Sequence, residues 1–116
     1  MKSLESKIRG NQWRLDEKRW KVTELETLAT GFRAKIEQLD RELEVARETA
    51  AVDPARAPQI RDQVSQATSR RKNLRQSLRA LESEMVRALE EVDEAHQEST
   101  RFDLIMTRNR KKAGRT

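Results

Sequence analysis

Apolar residues recur about every 3.5 positions from the start of the chain, the spacing of helices that lay one stripe against a partner helix. In the first half one stripe holds Ile8, Leu15, Val22, Ala29, Ile36, Leu43 and Ala50. Beside it run Leu4, Asn11, Lys18, Leu25, Phe32, Leu39 and Ala46. The second half repeats the pattern with Ile60, Ala67, Leu74, Leu81, Ala88, Ala95 and Phe102. Its companion stripe holds Val64, Arg71, Leu78, Met85, Val92, Ser99 and Met106. Neither half needs an insertion to stay in register.

The two patterns are separated by Val52-Asp53-Pro54-Ala55-Arg56-Ala57-Pro58. Prolines so close together interrupt a regular helix, because each lacks an N–H and crowds the preceding turn. Proline is tolerated where a helix starts. The pattern therefore predicts helix one over about 3–51, a turn over about 52–57 and helix two over about 58–110. A basic tail follows over about 108–116, and the whole chain, 1–116, forms a single domain. A short connection makes the helices antiparallel neighbours. The expected fold is all-α, a long antiparallel two-helix coiled-coil hairpin.

Pairing residues whose numbers sum to about 110 sets large side chains against small ones, as close packing requires. Leu43 then meets Ala67, Ala29 meets Leu81, Val22 meets Ala88 and Leu15 meets Ala95. Asn11 falls opposite Ser99, polar against polar. Flanking charges fit the same register, pairing Arg14 with Glu98, Lys21 with Glu91, Arg33 with Glu82, Asp40 with Arg75 and Glu42 with Arg70. Lys18 and Arg71 lie on the seam, where their stems can pack while the charged ends reach water. Gly10 and Gly31 fall inside helix one, each at a cost of about 1 kcal/mol relative to alanine.

Composition narrows the picture. Charged residues make up 39% of the chain against 34% hydrophobic, too little apolar mass for a thick globular core. Cysteine is absent, which removes disulfides, thiol nucleophiles and cysteine metal sites. No apolar run approaches the ~20 residues of a membrane-spanning helix, and Met1–Glu5 lacks the apolar centre of a signal peptide. A cytoplasmic protein is expected, with no membrane insertion. The net charge of +5 is localised, since residues 101–116 carry six basic and one acidic residue. This is a basic end on a nearly neutral body.

The sequence offers little catalytic chemistry. His96 is the sole histidine and reads as a flanking residue without convergent partners. Glu90, Glu91, Asp93 and Glu94 read as a solvated helical face rather than a metal site. No phosphate-binding glycine loop or nucleophile motif is present. An enzyme is not expected, nor is a cofactor or a bound metal. Binding surfaces remain. Trp13 and Trp20 share one helical stripe that points away from the seam, and exposed tryptophans often anchor interfaces. They can equally lie on neighbouring long side chains or pack in a homodimer. Arg108, Arg110, Lys111 and Lys112 form the basic end, open to an acidic protein pocket, to polyanions or to solvent alone. Nucleic acid is not expected, because no aromatic residues interleave with these cations as a stacking platform would require.

The N-terminal stretch carries a family likeness. Lys2-Ser3-Leu4, Ile8-Arg9, Trp13, Leu15-Asp16-Glu17-Lys18-Arg19, Lys21, Glu24-Leu25-Glu26 and Leu28 resemble the start of FliJ-type flagellar export proteins, particularly shorter α-proteobacterial forms. Beyond residue 28 the resemblance is one of architecture. It implies a stalk-like component of the flagellar type III export apparatus, similar to the central stalk of rotary ATPases. Its expected partners are the hexameric export ATPase, which receives the paired terminal ends, and the membrane export-gate protein. Some family members also handle export chaperones. The implied location is the cytoplasmic side of the inner membrane at the flagellar basal body. Two other readings stay open: a generic coiled-coil adaptor or tether, and a nucleic-acid-binding helical arm.

Overall fold

A computed structural model describes residues 3–114. Helix α1 runs from Leu4 to Val52, a short 3₁₀ turn covers Pro54–Arg56, and helix α2 runs from Ala57 to Gly114. Among the described residues there is no strand. The fold is all-α, two long helices joined by a tight reversal, as the heptad pattern predicts.

Local chemistry sets the ends of the helices. Ser3 caps α1, its Oγ accepting from the Ser6 N–H at 3.2 Å. This satisfies one of the orphan donors of the first turn. The α1 ladder closes where Asp53 N–H donates to Thr49 O at 2.9 Å. Asp53 then adopts extended angles, φ −130° and ψ 88°, as the residue before a proline tends to. Pro54 opens the 3₁₀ turn and Ala57 N–H donates back to Pro54 O, so the reversal passes directly into α2. Helix α2 continues to Gly114, beyond the expected end near 110. Lys111 and Lys112 in its last turn complement the negative end of the helix dipole and favour that extension. The expected tail is therefore helical over 108–114, while 115–116 lie outside the described residues.

The chain divides into two compact units, Leu25–Ser83 and the paired segments Met1–Glu24 with Glu84–Thr116. In the turn-bearing unit, Leu25, Ala29, Ile36, Leu39, Leu43 and Ile60 are buried. In the terminal unit, Leu15, Val22, Ala88, Ala95 and the polar Asn11 are buried. The remaining seam positions on both helices are half-buried, from Leu4 and Ile8 to Phe102 and Met106. Each buried Leu, Ile or Val contributes roughly 1.5–3 kcal/mol by leaving water. No large side chain among the described residues is fully enclosed, so the core is one layer deep.

Polar contacts fix the pairing within each unit and revise several expected partners. Asn11 Nδ2 donates to Ala95 O at 3.2 Å, a backbone carbonyl rather than Ser99. A short amide enclosed at the seam reaches the nearest acceptor on the facing turn. Lys18 Nζ meets Glu91 Oε2 at 3.1 Å, taking the carboxylate expected to face Lys21. Lys18 packs its stem along the seam, and that stem delivers the amine to the adjacent rim. Arg33 pairs with Glu82 at 3.6 Å, as expected. Asp40 pairs with Arg71 rather than Arg75. The enclosed Arg71 Nε meets the carboxylate as an ion pair without hydrogen-bond alignment. Arg14 and Glu98 border one cleft of about 450 Å³ without forming an ion pair.

Candidate interaction surface at the terminal unit

The residues singled out for binding fall within the terminal unit. Trp13 and Trp20 lie on α1 two positions beyond the seam residues Asn11 and Lys18, about 200° around the helix. They are 69% and 65% exposed, so the packing of the hairpin does not account for them. Between and beside them the stripe is acidic. Asp16, Glu17 and Glu24 occupy the neighbouring helical positions and are exposed. An indole face bordered by carboxylates suits an apolar partner that also carries a cation, which the ring quadrupole attracts.

Arg108, Arg110, Lys111 and Lys112 are exposed on the last turns of α2. Because the segment is helical, Arg108, Lys111 and Lys112 share one face by their three- and four-residue spacing. One turn earlier lie Leu104 and Ile105, both exposed. Leu104 and Ile105 belong to neither seam, so the heptad repeat does not single them out. The signal was available in the spacing, because Leu104 is followed four and seven residues later by Arg108 and Lys111. The basic end thus carries apolar and cationic side chains in succession along one face, so that Leu104 can be buried while the cations one and two turns on engage an acidic rim.

The electrostatics of the unit are local. Glu91 is held below its ordinary value of 4.5, first by the hydrogen bond from Lys18 and then by the Lys18 charge, with Lys21 and Arg87 adding smaller effects. Its acidic neighbour Asp93 accepts from Gln97 at 3.1 Å. His96 is exposed, and its backbone carbonyl accepts from the Thr100 hydroxyl. Among the described residues no group of three or more His, Cys, Asp or Glu side chains converges to hold a metal ion. Among them, too, no helix is long and apolar enough to cross a membrane.

No family model, curated protein or solved structure matches this chain.

Proposed function

We propose that this chain is a stalk-like component of the flagellar protein export apparatus, binding the export ATPase ring through its terminal unit and the export gate elsewhere. The observation that carries the reading is a coincidence of position. Most of the FliJ-like sequence, up to Glu24, the outward Trp13/Trp20 pair and the basic helical end belong to one compact unit. In this role the protein works at the cytoplasmic face of the inner membrane and couples energy to secretion without chemistry of its own. The basic end of α2 supplies electrostatic attraction to an acidic ring lining, and the tryptophans supply apolar anchorage. Contacts with export chaperones belong to the same proposal.

The test is binding and stimulation of the export ATPase across salt concentrations, with circular dichroism as the folding control. Replacing Arg108, Arg110, Lys111 and Lys112 with glutamine is expected to weaken binding and to flatten its salt dependence, because the screened charges are gone. Trp13→Ala with Trp20→Ala is expected to weaken binding with the salt dependence retained, because that loss is apolar. Undiminished binding by a folded protein carrying all six changes would remove this end from the interface. The generic adaptor reading would then be preferred.

A further inference from the structure

The turn-bearing unit carries a second surface, independent of the reading above. An open groove of about 750 Å³ runs beside the seam between α1 around Leu43 and α2 around Val64. Its floor includes Leu43, Ala46, Val64 and Ala67. Ala46 and Ala67 are the short ones, and the seam is shallow beside them. Arg41, Arg56 and Arg70 stand along the groove with Glu42 as its sole acid. The exposed Val45 adds apolar surface at the edge.

The expected bridge across this groove, Glu42 to Arg70, does not form. Glu42 Oε1 instead accepts from Gln38 Nε2 at 3.4 Å, along its own helix. The apolar floor is therefore not roofed by an ion pair. Among the described residues Arg70 has no acidic partner in contact.

We propose that this groove docks an acidic amphipathic helix of a partner protein. Two paired helices present a furrow of the shape that a third helix fills, its apolar residues entering at three- and four-residue intervals. The alanine floor lets that helix come close. Three arginines against one glutamate select carboxylates on its flanks and disfavour a basic helix, which would meet like charge. Arginine also matches carboxylates in bidentate geometry.

Fluorescence anisotropy with the whole chain tests this. The probe is a labelled synthetic helix of about 18 residues, with leucines every three or four positions and glutamates flanking them. A second probe carries lysines in place of the glutamates. The acidic probe is expected to bind saturably, and the lysine probe at least roughly tenfold more weakly. Arg41→Gln, Arg56→Gln and Arg70→Gln together should weaken the acidic probe about tenfold, since each exposed charge contributes modestly. Their helicity and Tm should not change, because all three lie off the seam. Val45→Glu should also weaken the acidic probe. Equal binding of the two probes, no saturable binding, or full binding by the triple variant would overturn the proposal. So would concentration-dependent self-association that the triple variant abolishes, which would give the groove to a second copy.

Discussion

Asn11 shows how one residue can set an alignment. It is only 6% exposed, it sits among apolar seam residues, and its amide donates to the Ala95 carbonyl. A slipped pairing would leave that amide buried without an acceptor, at a cost of roughly 1–3 kcal/mol. Polar seam residues of this kind lower stability and raise specificity. Asn11→Leu is accordingly expected to raise Tm by a few degrees, of order 1 kcal/mol, while loosening register. Disulfide trapping of a Leu15→Cys, Ala95→Cys pair would then give a mixture of crosslinks instead of one. A single crosslinked product with unchanged Tm would show that Asn11 does not specify the pairing. Glu91 gives a residue-level prediction of a different kind. Its pKa is lowered in the fold, so its contribution is fully present above the ordinary carboxylate range and is lost as pH falls through the lowered value. The difference between the urea midpoints of the protein and of Lys18→Met should be largest near neutral pH and shrink as the pH falls below the ordinary carboxylate range. A constant gap at both ends would show that the Lys18–Glu91 pair is not its source.

Helix α1 spans 49 residues without a break, although it contains two glycines. A Cβ at Gly10 or Gly31 would meet nothing within 4 Å. Neither glycine has a positive φ, so neither conformation calls for glycine. Gly10→Ala and Gly31→Ala should each stabilise the helix by up to about 1 kcal/mol, seen as additive increases in the urea midpoint. Destabilisation by either would mean that the glycine serves a contact or bend that partners impose. The helices were largely legible in the sequence. Every expected seam position of α1 and α2 is buried or half-buried, because a repeat without insertions leaves one way to close the stripe. Individual ion pairs were less legible. Arg33–Glu82 was anticipated, but Lys18 displaced Lys21 and Arg71 displaced Arg75. Long side chains select partners by where their stems lie, and residue spacing alone does not encode that. A run of cations at the end of α2 suggests a solvated tail, and helix α2 nevertheless reaches Gly114. The same cations stabilise a helix C-terminus.

At the scale of the molecule, the candidate surfaces differ in how they could be found. The tryptophan stripe followed from a seven-residue spacing off the seam. The groove near the turn did not, because simple pairing puts Glu42 and Arg70 across it. Only the side-chain positions show that this bridge is absent. The sequence bears on partners only through the N-terminal resemblance, since coiled-coil composition specifies a shape and leaves its use unstated.

The depth of the seam also bears on the order in which the protein assembles. The Asn11–Ala95 contact spans 84 residues and the Lys18–Glu91 contact spans 73, whereas contacts beside Pro54 close short loops. Closing a loop costs more entropy as it lengthens, by about 0.6 kcal/mol for each doubling. Pairing is therefore expected to start at the reversal and zip towards the termini, each closed turn shortening the loop for the next. With a core one layer deep, no deep packing step locks the last turns in place. Opening retraces the path, and hydrogen exchange should release amides around Leu15 and Ala95 before those around Leu43 and Ile60. The opposite order would refute zipping. On this account the terminal unit is the last to assemble and the first to part, so a partner gripping both helices there would act as a clasp on the whole fold.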